Sequence, residues 1–173
     1  MIGASGRFFA RVPDTNPKVM TEIFLEAEKH QGTSVVEIMQ NCVIFNDKVF
    51  AEYTDKEVRA DNILHVEQGK PMIFGKESNQ GLVLNGFKLE QVTIGENGIT
   101  EADILVHDAR EEDSTLHMML AKLQMPIVTG VVRDVPDATF DMRMQRQIEE
   151  TEQSSKFKSV NDLFNSGETW EIE

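Results

Sequence analysis

Between residues 8 and 40 the chain spells a strand, a helix and a second strand with short connections, and few folds accept that order. Phe8-Phe9-Ala10-Arg11-Val12 is a compact apolar run stopped by Pro13-Asp14-Thr15. Asn16 is a good helix N-cap, and Pro17 falls at the first helical position, where its missing N–H costs nothing. Val19, Met20, Ile23, Phe24 and Ala27 then recur at the spacing of one buried helical face. Lys29 and His30 occupy the last turn, where cations suit the helix dipole, and Gly32 supplies a stop. The segment 33–40, Thr-Ser-Val-Val-Glu-Ile-Met-Gln, is β-branched and mostly apolar, which predicts a central parallel strand. Strand, helix and strand in this order predict an α/β fold.

Beyond residue 47 the character changes. Residues 52–62 are polar and predict a connector or an exposed helix. Residues 71–75 and 81–84 predict short strands, and Asn85-Gly86 before residues 87–94 predicts the tip of a two-residue hairpin. A further strand is expected at Ile104-Leu105-Val106-His107. Ser114 is placed to cap a helix whose Leu116, Met119, Leu120 and Leu123 share one face, ending before Pro126. Residues 127–132 return as a strand. Residues 141–152 predict a polar helix, and residues 153–173 are weakly patterned.

Composition narrows the function classes. Hydrophobic residues make up 40% of the 173, which is ample for a core. The 17 basic against 30 acidic residues leave a net charge of −13, which argues against nucleic acid and against an anionic membrane surface. No run approaches the length that spans a bilayer, and residues 1–7 lack the pattern of a signal peptide. A single cysteine excludes any disulfide within the chain. A reducing, cytoplasmic compartment is therefore expected.

Few residues nominate themselves for chemistry. The four histidines, His30, His65, His107 and His117, form no metal-ligand spacing. His107-Asp108 could set an imidazole against a carboxylate, but packed or surface roles are the commoner fate of such groups. Glu111-Glu112 and Glu149-Glu150 read as solvated helix ends. No phosphate loop, dinucleotide fingerprint or nucleophile elbow occurs. Cys42 stands out by position, in Asn41-Cys42-Val43-Ile44-Phe45-Asn46-Asp47 just past the second strand, where α/β sheets gather ligands. Three readings of it stay open: a small buried hydrophobe, a reactive thiolate lacking an evident base, or one thiolate of an iron–sulfur cluster.

The run from Gly32 through Gln40-Asn41-Cys42 to Asn46-Asp47 resembles the β subunit of 2-oxoacid:ferredoxin oxidoreductases, in the 2-oxoglutarate-type branch. Gly3-Ala4-Ser5, Phe9-Ala10-Arg11 and Asn16-Pro17-Lys18 are similar to the segment leading into it, and residues 104–108 and 126–131 resemble later blocks. The resemblance implies that residues 1–47 are the end of a thiamine-diphosphate-binding α/β domain and residues 48–173 a C-terminal extension with a hairpin and helices. It implies oxidative decarboxylation of a 2-oxoacid to an acyl-CoA, with thiamine diphosphate, magnesium and a four-iron four-sulfur cluster passing electrons to ferredoxin. Cys42 would be one cluster ligand. The implied partners are an α subunit, the upstream half of the β subunit, ferredoxin, coenzyme A and the 2-oxoacid. The family's three other cysteines and its Gly-Asp-Gly motif are missing here, Asn41 replaces a frequent proline, and Ile44 a common threonine. The expectation is a partial subunit, inactive alone; the alternative is a non-catalytic interaction domain keeping only the scaffold. Arg7, Arg11 and Lys18 are the candidates for a basic patch facing an acidic ferredoxin.

Overall fold

A computed structural model describes residues 1–168 and 170; the last part of the weakly patterned 153–173 segment lies outside the described residues. The chain divides into two compact units, Met1–Asp137 and Ala138–Glu173. The first unit realises the expected strand–helix–strand. Strand β1 (Phe8–Pro13) leads through helix α1 (Pro17–Lys29) to β2 (Ser34–Met39), and β1 and β2 pair in parallel from Phe8↔Ser34 to Pro13↔Met39. Asn16 caps α1 by accepting from the Val19 amide at 3.4 Å. Ile23 is buried, with Val19, Met20 and Ala27 packed beside it over Phe8, Ala10 and Val12. Phe24 departs from the expected apolar face and is 47% exposed.

After β2 come two single-turn helices, α2 (Ala51–Thr54) and α3 (Arg59–Asn62), and then β3 (Ile63–Val66), β4 (Ile73–Phe74), β5 (Gln80–Asn85) and β6 (Lys88–Thr93). Helix α4 (Thr115–Lys122) and strand β7 (Ile127–Asp134) close the unit. The main sheet has the order β2-β1-β7-β3, with β1/β2 and β3/β7 parallel and β1/β7 antiparallel. It is an α/β sheet of mixed direction, and β2 lies at its edge rather than at its centre. The edge position explains why Val35 and Ile38, apolar as a central strand requires, are 36% and 41% exposed. β4, β5 and β6 form a separate antiparallel sheet, whose Phe74 and Leu82 join Phe9, Leu64, Val66, Leu120, Val128 and Val132 in the larger core cluster.

Several expectations shift when distant contacts are present. The segment at 104–107 makes no strand, only a single bridge from Val106 to Pro71, because its backbone partners change from Leu82 at Leu105 to Lys70 at His107. β3 was not evident from the pattern, although Leu64 and Val66 are deeply buried against β7. At the start of α4 the Thr115 amide is taken by Asp113 Oδ1 at 2.7 Å, and Ser114 makes no side-chain cap. Gly130 fits the centre of β7 because its φ is +98° and a Cβ there would run into the Val66 carbonyl.

The second unit contains α5 (Phe140–Ser154), capped by Thr139, and the short α6 (Val160–Phe164), whose Ser159 and Asp162 form a reciprocal capping box. No helix among the described residues is long and apolar enough to cross a membrane.

The hairpin between β5 and β6 has a two-residue loop, one position later than the Asn-Gly pair suggests. Asn85 pairs with Lys88, so Gly86 and Phe87 form the turn. Gly86 has φ +58° while Phe87 is not left-handed, the sign pattern of a type II′ turn. Gly86→Val should therefore cost about 1–3 kcal/mol, because a β-branched residue resists positive φ. Gly86→Asn should be tolerated much better. Thermal melts of the two variants check this, and equal melting temperatures would count against the turn assignment.

Candidate functional site

The loop at residues 41–48 leaves the carboxyl end of β2 and is tied across its own base. Asn41 does most of the tying. Its backbone N–H donates to Asp14 Oδ2 at 3.3 Å, its Oδ1 accepts from the Lys48 amide at 2.7 Å, and its Nδ2 donates to Asp47 Oδ1 at 3.0 Å. The Asp14 amide in turn bonds the Met39 carbonyl at 3.2 Å, so the start of the loop is fixed to the ends of β1 and β2. The Asn46 amide closes a tight turn onto the Cys42 carbonyl at 2.9 Å.

Cys42 is exposed at this turn, so it is not the buried hydrophobe that a lone cysteine most often is. The backbone amides of Phe45, then Ile44 and Asn46, donate toward its sulfur and hold the thiol below its ordinary pKa. The arrangement does two things chemically. It favours a thiolate, and it offers hydrogen bonds to sulfur of the kind that adjust a cluster's potential. The loop's side chains Val43, Ile44 and Phe45 are 74%, 81% and 90% exposed. Asn41 and Asp14 are the residues that sequence reasoning missed here; the signal available was Asn41 with Asp47, an amide and a carboxylate six positions apart bracketing a loop.

The histidines take structural posts away from Cys42. His107 Nε2 donates to the Val131 carbonyl at 2.9 Å, and its Nδ1 is buried with no partner among the described residues. Asp108 does not orient it: the carboxylate accepts instead from Gln68 and the Arg110 amide. His117 Nε2 donates to the Asp108 carbonyl at 2.8 Å, and its Nδ1 accepts from Arg133 Nη1 at 2.8 Å. The His117 ring is therefore neutral in the fold. Burial lowers the pKa of each, and the Arg133 guanidinium holds His117 down further. Arg133 also donates to the carbonyls of Glu111 and Glu112, which lie in the turn before α4 rather than at a helix end. His30 Nδ1 contacts Asp134 at 2.7 Å. A groove of about 370 Å³ between α1, β3 and β7 is lined by Glu22, Glu26, His65, Glu67, Arg110 and Asp134, and Cys42 takes no part in it.

The candidate basic patch does not survive as a set. Arg11 is turned inward, bonded to Glu37 at 2.7 Å and to the Ala121 carbonyl at 3.2 Å, with its guanidinium 5.6 Å from the Phe9 ring centre. Arg7 is paired with Glu112 and Asp137. Among the described residues no group of three His, Cys, Asp or Glu side chains is placed to hold a metal ion.

Two outcomes follow from this geometry. Cys42 should be alkylated by iodoacetamide at lower pH than a free cysteine, and Asn41→Ala, which unties the loop, should move its apparent pKa upward; an unchanged rate–pH profile would refute the amide cradle. For His107 and His117 the folded pKa lies below the unfolded value of about 6.5. The unfolded state then binds more protons in that window, so stability is full above about pH 6.5 and falls as pH drops toward the folded values. His117→Gln should flatten that slope by up to about 1.4 kcal/mol per pH unit, measured by urea unfolding between pH 7 and 5.

Comparison with known proteins gives a single direction. No family model matches the chain, and no solved structure matches it. It is similar to 2-oxoglutarate oxidoreductase subunit KorB of Mycobacterium tuberculosis, with 29% identity over 178 aligned positions that take in 99% of this chain and 47% of the relative. The chain thus spans about half the length of the curated relative that it matches, namely its C-terminal half.

Proposed function

We propose that the chain works as the C-terminal half of a 2-oxoacid:ferredoxin oxidoreductase β subunit, with 2-oxoglutarate the favoured substrate. The observation that carries the reading is the end-to-end similarity to the KorB subunit. On this reading residues 1–47 correspond to the end of the thiamine-diphosphate-binding domain and residues 48–173 to its C-terminal extension. The α subunit, the upstream half, ferredoxin and coenzyme A are its partners in turning a 2-oxoacid into an acyl-CoA in the cytoplasm.

The residues present fit one part of the cofactor set. Cys42 is exposed, has a lowered pKa and is surrounded by amides, all of which suit a single thiolate ligand of a four-iron four-sulfur cluster. The cluster would supply one-electron transfer, and Cys42 with its loop amides would fix its position and bias its potential. Thiamine diphosphate and magnesium do not fit this chain's own residues: it has no Gly-Asp-Gly sequence, and its described residues form no acidic metal-binding group. Their anchors belong to the upstream half.

Cys42→Ser in the assembled enzyme is the test. Serine nearly preserves volume, whereas its hydroxyl is a far poorer iron ligand than a thiolate. Iron content and ferredoxin reduction should fall sharply while thiamine diphosphate binding persists. Parental iron content and parental ferredoxin reduction in the variant would remove Cys42 from the cluster. An assembled complex that is colourless even with Cys42 in place would favour the scaffold-only reading. The 173-residue chain by itself should carry no stoichiometric iron or acid-labile sulfide, because one thiolate cannot hold four irons.

A further inference from the structure

Residues 108–113 form neither helix nor strand, yet two buried side chains hold them beside β7. His117, 1% exposed, donates from Nε2 to the Asp108 carbonyl at 2.8 Å. Arg133, 3% exposed, donates to the Glu111 and Glu112 carbonyls at 2.8 and 2.9 Å. The two are joined to each other, Arg133 Nη1 to His117 Nδ1 at 2.8 Å. A guanidinium has donors only, so Nδ1 must offer its lone pair and Nε2 must carry the ring's one proton. A single protonation state of one imidazole completes the set. The guanidinium is already short of partners, since its Nε is buried with none among the described residues.

We infer that His117 and Arg133 are a proton-operated clamp: a proton taken from solvent onto His117 Nδ1 drives the guanidinium off the ring and releases residues 108–113 from β7. The cause is local. A protonated Nδ1 would set N–H against N–H and cation against cation at a buried contact, and arginine does not give up its own proton. The groups acting on the ring are Arg133 from β7 and, from the segment, Asp108, Glu111 and Asp113, with the His107 ring centre 6.2 Å away. β6, which also packs on α4, carries Lys88 and Glu90, both exposed; residues 2–4 carry no charge. The three carboxylates favour a cation, but burial and Arg133 outweigh them, so the closed clamp resists protonation and the open one accepts it. Release also changes the surface. Ala109 and Arg110 line the groove between α1, β3 and β7, and freeing the segment removes that wall.

The test is amide hydrogen exchange, as protection factors, on the full chain and on His117→Gln at pH 7 and pH 5. Glutamine can accept from Arg133 and donate to the Asp108 carbonyl at either pH, so it keeps the clamp closed. In the parent chain the Ala109 amide, bonded to Gln68, and the Asp134 amide, bonded to the Ala109 carbonyl, should lose at least about tenfold protection at pH 5, because the freed ring returns to a pKa of about 6.5. The amides of β1 should keep theirs, and His117→Gln should show no loss at either site. Histidine NMR on the parent makes the test independent of how the variant folds: protection and His117 ionisation should share one midpoint. Full protection of Ala109 and Asp134 at pH 5 overturns the clamp. So does an equal loss in His117→Gln, an equal loss throughout β1, or a His117 ring still neutral where protection has gone.

Discussion

Everything near Cys42 depends on β1, a six-residue strand buried on both faces and paired on both edges. Phe8, Ala10 and Val12 face α1, and Phe9 faces the cluster that includes Leu120 and Val132. The parallel pairing runs in step from Phe8↔Ser34 to Pro13↔Met39. A slip by one residue would turn Val36 away from the cluster beneath α1 and swing the buried Met39 to the other face, so burial fixes the register. Register then decides where β2 ends, and the end of β2 decides where the loop begins. The exposed thiol is placed by hydrophobic packing several residues away from it.

The parts of this arrangement that were legible in the sequence are those whose signals are local. Asn16-Pro17 marks a helix start by chemistry acting within four residues, and the apolar spacing of α1 is intrinsic to the helix. The strand character of residues 34–39 was readable for the same reason; its place in the sheet was not, because strand order is set by β7 returning antiparallel onto β1 from about 120 residues later. Ile63-Leu64-His65-Val66 carries a strand's alternation over four residues only, and β7 is what makes it one. His107 shows the opposite failure. Next to Asp108 it looks like an oriented base, yet the fold turns its ring to the Val131 carbonyl and gives Asp108 to Gln68. Asn85-Gly86 was right about the hairpin and one residue off about the turn, because cross-strand pairing carries Asn85 into the ladder.

Asn41 illustrates a different limit. Against the pattern of the family that the chain resembles, it registers only as a departure, a polar residue where proline is frequent. In the fold it supplies what a rigid ring would have supplied by other means: hydrogen bonds to Lys48, Asp47 and Asp14 hold both ends of the loop. Proline restricts a backbone by removing rotations; Asn41 restricts it by occupying donors and acceptors. The substitution keeps the constraint while changing its chemistry, so it does not weaken the case for a fixed sulfur.

The electrostatics of Cys42 run against the protein as a whole. A chain with a net charge of −13 is a poor place for another anion, and long-range repulsion alone would push a thiol's pKa up. The direction here is down, and the cause lies within four residues: the amides of Phe45, Ile44 and Asn46. Nearby backbone dipoles outweigh screened charges many ångströms away. The same loop that turns its amides toward one sulfur also leaves three large apolar side chains, Val43, Ile44 and Phe45, in water. Thiolate stabilisation and apolar exposure are therefore two sides of one arrangement.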